Sequence, residues 1–357
     1  MISFIRRFIF TFNIIAIILL FGSYFSIFVS PREAWIFAFL GLAYPLVLFI
    51  NILFALFWLV QSKLKALFSV CAILFGMRFL TQTFQFHKEK DIDEQAISII
   101  SYNAGLFGYF QSKWHVGEMI GKVNEIKPDV LCVQEVLNIH GRQSTVDSIR
   151  NSCGFDYVYF QKLQDGRKRG DYGMAIFSKY KIVKSELVHF DGLTGNMCIY
   201  ADLDIDGKLY RFYNVHLQSF KFKKQDYKFI KKMPDDNDEK IKQSKSILNR
   251  MKDAYAKRAE QVDKIREHIV TSHGPHFVIG DFNDPPVSYS YATLSRGLKD
   301  AFVENGFGMG KTYIGIMPNF RIDYVLYPPD FKGQSYHSYK LSSDHSMIQA
   351  GIVHSEN

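Results

Sequence analysis

The sequence predicts an α/β sandwich that follows a membrane-embedded N-terminal region, and two observations support this. The long apolar runs of the 357-residue chain are concentrated in about its first 80 residues. From Ala96 onward, strand-like segments alternate with helix-like ones, as in AISIISYN followed by WHVGEMIGKVNEI. Many short strands with a few helices between and outside them are typical of sheets covered by helices.

The N-terminal region contains three apolar stretches that are candidate membrane spans, at about 8–29, 34–60 and 64–80. The first two are long enough to cross a bilayer, whereas the third is shorter and has Lys65 and Arg78 near its ends. A cleaved signal peptide is a weaker interpretation of the first stretch, since no A-x-A-like site follows it. Residues 1–80 are therefore predicted to be a transmembrane region whose partner is the lipid bilayer.

Basic residues in the short loops predict the orientation of these spans. Arg6 and Arg7 precede the first span, and Lys63 and Lys65 lie between the second and the third. Positive-inside counting then places the N-terminus in the cytoplasm. Three spans would put the rest of the chain on the other side, so the protein is expected to be multi-pass with a periplasmic or extracellular domain. If the third stretch does not span, this prediction reverses.

Residues 81–95 are polar and predict a linker, and residues 96–357 predict one further domain. Its strand-like segments are rich in β-branched and aromatic residues, and Asp206-Gly207 between two of them indicates a hairpin. Helical periodicity is found before Lys127-Pro128 and from about 241 to 270. The net charge of +8 includes topogenic residues, so it is weak evidence for nucleic-acid binding.

Polar residues stand at the ends of several strands that should be buried. In GDFNDPP, residues 280–286, an ordinary turn would account for the Gly, Asn and Asp residues. The same pattern recurs at other strand ends, however, and a buried carboxylate or amide without a partner is costly. Convergence of these groups around a cation is the more economical explanation. The residues are Asn103, Glu135, Asn214, His216, Asp281, Asn283, Asp323, Asp344 and His345.

The residue types in this set indicate a site for a hard divalent cation and for acid–base chemistry. Carboxylate and amide oxygens suit Mg²⁺, Mn²⁺ or Ca²⁺, and the sequence has no His/Cys cluster with zinc spacing. His216 and His345 can titrate near neutral pH, and Asp323 could orient His345. The four cysteines share no metal-ligand spacing, and pairing of Cys153 with Cys198 stays open. The combination of hard-cation ligands with titratable histidines predicts a hydrolase of phosphate esters.

Seven ordered motifs resemble the endonuclease/exonuclease/phosphatase (DNase I-like) superfamily. They are SYNAG, PDVLCVQE, YGMAIFSK, NVHLQ, GDFND, RIDYVL and SSDHS, and the resemblance covers about residues 96–354. It implies a four-layer α/β/β/α sandwich of two packed mixed sheets. It also implies a metal-dependent hydrolase that uses Mg²⁺ or Mn²⁺ and activates water for in-line attack on phosphorus.

The resemblance carries over to individual residues. Glu135, Asn103 and Asp344 match the residues at or beside the metal. His345 matches the catalytic histidine and Asp323 its orienting carboxylate, while Asp281 and Asn283 match the pair that positions water and phosphate. His216 matches a phosphate-contacting histidine, and we predict that Asn214, His216 and Asn283 contact substrate. Whether Asp281 or His345 accepts the proton of the water stays open.

The sequence does not choose the substrate. Nucleic acid, a nucleotide or a phospholipid headgroup would all suit a membrane-anchored phosphodiesterase of this kind, and no protein partner can be inferred. A catalytically silent membrane receptor or scaffold is the alternative, which the complete set of motifs disfavours. NGFGMGKTY, residues 305–313, fails the P-loop template at Asn305, so we expect a loop at the rim of the site. The basic segment 220–232 is either a solvated face or an anion-binding surface.

Overall fold

The computed structural model describes residues 2–88, 90, 95–111, 114–139, 144–163, 170–191, 195–232, 236–272, 274–315 and 320–355. The chain forms two compact units. The helical unit consists of Met1–Phe84, Lys224–Glu260 and Asp284–Thr293, and the sheet unit of Gln85–Lys223, Gln261–Asn283 and Leu294–Asn357.

The helices, in chain order, are α1 (Ile2–Phe25), α2 (Ile36–Leu42), α3 (Tyr44–Gln61), α4 (Lys63–Phe75), α5 (Met77–Thr83), α6 (Val116–Ile126), α7 (Thr145–Ser152), α8 (Lys224–Lys231), α9 (Asn237–Thr271), α10 (Tyr289–Leu294) and α11 (Ala301–Asn305). A kinked 3-10 segment covers Gly105–Gln111. The strands are β1 (Gln85–Phe86), β2 (Ile97–Asn103), β3 (Val130–Asn138), β4 (Tyr157–Lys162), β5 (Asp171–Ser178), β6 (Lys181–Val188), β7 (Met197–Ile205), β8 (Lys208–His216), β9 (His276–Asp281), β10 (Lys299–Asp300), β11 (Phe307–Gly308), β12 (Asp323–Tyr327), β13 (Phe331–Tyr339) and β14 (Met347–His354).

Among its described residues, the helical unit contains two helices that are long and apolar enough to cross a membrane, within Phe4–Phe25 and Tyr44–Gln61. A third span is present only if α4 and α5, which are bent by 61° at their junction, count as one. The stretch expected to form a single span at 34–60 is instead divided into α2 and α3. Pro45 explains the break, because proline has no N–H to donate and is tolerated only in the first turn of a helix.

Two later parts of the chain pack within the helical unit. Val287 lies in an apolar cluster with Leu20, Tyr24 and Phe79, and Ser26 donates a hydrogen bond to the Val287 carbonyl at 3.1 Å. The insertion Lys224–Glu260 is held by ring contact between Tyr255 and Phe39, whose centroids are 5.4 Å apart. The unit is therefore built from segments that are distant in sequence.

The sheet unit is an α/β fold with two mixed six-stranded sheets, as the sequence predicts. One sheet has the order β10-β12-β9-β8-β7-β6 and the other β13-β14-β2-β3-β5-β4, while β1 and β11 form a separate pair. Aliphatic side chains such as Ile99, Ile279 and Val325 form a buried core to which both sheets contribute. A second core includes Met119 of α6 and Ile149 of α7. Burial on both faces explains why β2 and β3 show no regular alternation of apolar and polar residues.

Local sequence signals have the structural consequences expected of them. Asp206 and Gly207 both have positive φ, at 54° and 80°, and form the two-residue turn between β7 and β8. The helix predicted from about residue 241 begins earlier, at Asn237. All four cysteines are free thiols, so Cys153 and Cys198 are not paired.

Candidate active site

Three neighbouring strands of one sheet carry candidate site residues at the same edge, where β8 and β9 end and where β12 begins. Strand β8 runs parallel to β9 with His216 opposite Asp281, and β12 runs antiparallel to β9 with Asp323 opposite Asp281. This register places His216, Asp281 and Asp323 side by side. Strand pairing therefore brings together three motifs that are far apart in the chain, which are NVHLQ, GDFND and RIDYVL.

Gly280 makes this pairing possible. Its φ is +131°, which side chains other than glycine rarely adopt, and a β-carbon there would overlap the carbonyl oxygen of Val215 on the neighbouring strand. The glycine of the GDFN motif thus has a backbone role that is independent of the chemistry.

In the other sheet, a β-bulge directs Glu135. The pairing of β3 with β5 shifts between Val133 and Val136, and Glu135 takes a left-handed backbone conformation with φ 52°. As a result Gln134 is fully buried, whereas the Glu135 side chain is 29% exposed. Bulges beside functional sites commonly redirect a side chain in this way. The hydrogen bonds and packing of the surrounding sheet hold Glu135 in its strained left-handed conformation.

Polar contacts join the ends of the two sheets. Asn103, the last residue of β2, donates to Asp281 Oδ2 at 3.0 Å. His345, just before β14, lies with Nδ1 2.9 Å from Asp323 Oδ2. His216 Nε2 is 3.5 Å from Glu135 Oε1 and 3.8 Å from Asp281 Oδ2. Six of the residues predicted from sequence are thus brought together.

Asn283 completes the turn that follows β9. Its backbone N–H donates to Asp281 Oδ1 at 2.7 Å, and its amide donates to Leu217 O at 3.0 Å and to Asp281 Oδ2 at 3.1 Å. Its φ is +53°, a conformation that asparagine tolerates better than most residues. Asp281 therefore accepts hydrogen bonds from both Asn103 and Asn283, which fixes its carboxylate.

The structure describes different surroundings for Asn214 and Asp344. Asn214 is fully buried, accepts from Gln134 Nε2 at 2.7 Å and donates to the carbonyls of Val133 and Ala175. These contacts hold the two sheets together and leave its substrate role a prediction. Asp344 is exposed, and its carbonyl accepts from Ile314 N at 2.8 Å.

Burial and charge shift the pKa values of the buried groups. Burial raises the pKa of Asp281 to about 6, although the adjacent histidines oppose this rise. Burial acts to lower the pKa of His345, but the carboxylates of Asp323 and Asp281 outweigh it and raise that pKa to about 10. Burial lowers the pKa of His216, against the attraction of Asp281. The negative charges of Asp281 and Asp323 therefore favour the protonated form of His345.

Comparison with known families decides the identity of the fold. The family model described as endonuclease/exonuclease/phosphatase matches residues 100–345. The chain belongs to the endonuclease/exonuclease/phosphatase family. Members of this family are typically metal-dependent phosphoesterases. Residues 6–83 match a domain of unknown function, and no curated protein matches the chain.

Solved structures similar to this family member share its fold. An endonuclease/exonuclease/phosphatase from Beutenbergia cavernae is 15% identical, with 73% of this chain and 72% of that chain covered and a TM-score of 0.53. The human Nocturnin catalytic domain with bound sulfate is 17% identical, with 75% and 97% covered and a TM-score of 0.54. Humanized D. rerio TDP2 is 16% identical, with 72% and 99% covered and a TM-score of 0.52.

The carboxylates of this endonuclease/exonuclease/phosphatase site fall into two sets, one with histidine and amide partners and one, Glu135, that is a candidate ligand for a hard divalent cation. Asp281, Asp323 and His345 each offer one ligand atom, and these atoms lie within 4.8 Å of one another. His345 Nδ1 and Asp323 are already hydrogen-bonded, so this trio is better suited to handling protons than to holding an ion. Glu135 is a partly exposed carboxylate at the same edge, 3.5 Å from His216 Nε2, and its oxygens are of the type that Mg²⁺ binds.

Two residues that support the site were missed by sequence reasoning. Thr312 Oγ accepts from the backbone N–H groups of Ile322 and Asp323 at 3.0 and 3.1 Å. The ring of Tyr313 packs edge-on against His345, with centroids 5.4 Å apart. Both belong to NGFGMGKTY, whose expected place at the rim of the site was the only available signal.

Proposed function

We propose that the protein is a membrane-anchored phosphodiesterase that needs a divalent metal, Mg²⁺ or Mn²⁺, and hydrolyses phosphate esters by in-line attack of water. The observation that carries this proposal is the hydrogen-bonded chain from Asn103 through Asp281, with His345 and Asp323 beside it. The family's typical activity agrees with it. A silent receptor built on this fold would have no need to keep these costly buried charges.

The protein's own groups have distinct roles in this proposal. Asp281 lies 3.7 Å from His345 Nε2, and the two share the task of positioning the attacking water and taking its proton. Asp323 fixes the tautomer and the orientation of His345 through Nδ1. His216 provides a donor for a phosphoryl oxygen, while Asn283 uses both amide hydrogens to fix Asp281 and the Leu217 carbonyl and would have to release one of them to reach the substrate. The assignment of the proton to Asp281 or His345 is left to experiment.

A metal ion would be held by Glu135, with Asn103 and Asp344 as further candidate ligands. When bound, it would polarise the phosphoryl group and offset the negative charge that develops there. Glu135 is suited to this role since its bulge aims the carboxylate at the edge where Asp281 and His216 lie. His216, between Glu135 and Asp281, would keep the two carboxylates apart.

The decisive experiment is metal-dependent hydrolysis by the purified full chain in detergent. We expect EDTA to abolish activity and Mg²⁺ or Mn²⁺ to restore it. Glu135→Gln should raise the metal concentration for half-maximal activity at least about tenfold, because a neutral amide is a weaker ligand. Glu125→Gln, which changes an exposed residue paired with Lys122, is the matched control. Activity without metal, or equal metal dependence of the two variants, would contradict the proposal.

The substrate is proposed at the level of a phosphodiester. A plasmid, a nucleotide diester and sphingomyelin should be compared in one assay, with a phosphomonoester as reference. The similar human Nocturnin domain binds sulfate, which has the size and shape of phosphate. If only the monoester is hydrolysed, the protein is a phosphatase and the proposed phosphodiester substrate is wrong.

We place the sheet unit outside the cytoplasm on the basis of the basic residues in the short loops. The proposal requires that α4 and α5 together form the third span. Protease added to intact spheroplasts should then cleave the chain beyond residue 95. Cleavage only after the spheroplasts are lysed would place the same unit in the cytoplasm and leave two spans.

A further inference from the structure

A cavity in the sheet unit is lined by none of the active-site residues described above. It has a volume of about 810 Å³ and is formed by β1 with the residues just after it, by the end of α11 with the loop around β11, and by the middle of β13. Strand β1 pairs with β11 through Gln85 opposite Gly308 and Phe86 opposite Phe307. The segment that follows α5, residues 86–88, therefore forms one wall of a cavity that is large enough to hold a small ligand.

The charged lining of this cavity is entirely basic. Lys88 and Lys311 line it together with His87 and His337, and no carboxylate is among the described lining residues. Within the part of the chain that the structure describes, neither lysine forms an ion pair. Two lysines that converge on one cavity without a counter-charge favour an anionic ligand.

Buried polar atoms in the lining lack partners. Tyr336 Oη and Asn305 Nδ2 are both buried and have no hydrogen-bond partner among the described residues. Buried hydrogen-bonding groups are normally satisfied by protein, water or ligand. Their position in the wall of a basic cavity adds polar recognition to the charge of the lysines.

An exposed aromatic pair borders the same cavity. Phe86 and Phe307 are 79% and 73% exposed, and their rings meet edge to face with centroids 6.3 Å apart. A lipid acyl chain or the bilayer interface would cover such a pair of exposed apolar rings in contact with each other. Phe86 follows Thr83, the last residue of α5, by three residues, so it is close in sequence to the apolar N-terminal region.

We propose that this cavity binds the headgroup of an anionic phospholipid, with the phosphate against Lys88 and Lys311 and the acyl chains over Phe86 and Phe307. The site is non-catalytic and does not depend on the proposed hydrolase activity. A soluble phosphate ligand would explain the lysines but would leave the exposed phenylalanine pair without a function.

The test measures lipid binding by the full chain in nonionic detergent with EDTA present, so that turnover cannot consume the ligand. Thermal unfolding is followed while dioctanoyl phosphatidylglycerol, dioctanoyl phosphatidylcholine or glycerol 3-phosphate is titrated. We expect the anionic lipid to bind at least about tenfold more tightly than the zwitterionic one. Equal affinity for the two lipids would overturn the proposal, and so would glycerol 3-phosphate binding as tightly as the anionic lipid.

Matched variants locate the site. Lys88→Gln with Lys311→Gln should weaken phosphatidylglycerol binding about tenfold or more, since each lysine near an anionic headgroup contributes appreciably. Lys332→Gln with Lys340→Gln removes the same charge from exposed positions outside the cavity and should leave the affinity unchanged. If both double variants bind the lipid equally well, the lipid is bound elsewhere and the assignment is wrong.

A second pair of variants measures how much the acyl chains contribute to lipid affinity. Phe86→Ser with Phe307→Ser should weaken phosphatidylglycerol binding, whereas Leu209→Ser, at another exposed apolar position, should not. Unchanged lipid affinity in the phenylalanine variant would remove the lipid from the proposal.

Discussion

His345 Nδ1 lies 2.9 Å from Asp323 Oδ2 and 3.2 Å from Asp323 Oδ1, and both residues are buried. The carboxylate thereby fixes which ring nitrogen carries the proton and turns Nε2 toward Asp281, 3.7 Å away. Two residues that are far apart in sequence thus depend on each other for their orientation. The pair connects the two sheets, because Asp323 is the first residue of β12 in one sheet and His345 lies in the segment just before β14 in the other.

Asp323→Asn should lower kcat by about 10²–10⁴-fold, because an amide can donate to Nδ1 and hold the wrong tautomer of His345. KM should change much less, since Asp323 is not expected to contact substrate. Steady-state kinetics on the best phosphodiester substrate provide the measurement. Asp330→Asn, in an exposed turn, is the control. A similar loss in both kcat and 1/KM would point to a binding role instead.

The sequence predicts most of this arrangement because strand ends are local features. GDFN and its apolar run identify a strand that ends at Asp281 with Asn283 in the following turn, and strand pairing then places His216 and Asp323 beside Asp281. The sequence does not reveal the bulge that aims Glu135, because an extra residue in a strand depends on the partner strand. It also does not reveal that Val287 packs with α1 and accepts a hydrogen bond from Ser26, because Val287 and Ser26 are 261 positions apart in the chain.

Gly280→Ala should destabilise the protein by about 2–5 kcal/mol, since the new methyl group both strains the backbone and overlaps Val215 O. If β9 moves to relieve this overlap, His216 and Asp281 would separate. Activity should therefore fall by more than the folded fraction of the protein does. Thermal unfolding and hydrolysis of one substrate are measured in parallel. Gly117→Ala, in the open first turn of α6, should have no such effect and should gain up to about 1 kcal/mol. A fully active and stable Gly280→Ala protein would show that the close approach of the strands is not required.

Thr312→Val should reduce kcat about tenfold or more while keeping the shape of the side chain. The change removes the oxygen that accepts from the Ile322 and Asp323 N–H groups and leaves two buried donors unsatisfied. Asp323 would then be less well fixed, and its hold on His345 would weaken.

Rescue distinguishes positioning by Thr312 from simple packing. Thr312→Ser keeps the oxygen and loses only a methyl group, so it should restore most of the activity that Thr312→Val loses. The ratio of kcat values for the two variants is the measurement. If serine is as impaired as valine, packing of the methyl group is what matters.

Arg258→Ala should destabilise the helical unit by about 3–5 kcal/mol. Arg258 and Asp284 are both buried and form an ion pair at 2.7 Å, and Ser290 also donates to Asp284 at 2.6 Å. Removing the arginine leaves a buried carboxylate without its counter-charge, which costs more than the pair contributes when intact. Burial already raises the pKa of Asp284 against the attraction of Arg258, so losing the arginine should raise it further.

Because Asp284 follows Asn283 directly in the chain, Arg258→Ala should also reduce phosphodiester hydrolysis, and the two losses can be separated by a compensating change. Arg258→Met with Asp284→Asn removes both charges and should recover most of the stability. Lys257→Ala, at the adjacent exposed position of α9, is the control and should match the unmodified chain. Thermal unfolding of the full chain in detergent gives the stability. A double variant no more stable than Arg258→Ala would show that the loss comes from packing around Arg258 rather than from the unpaired carboxylate.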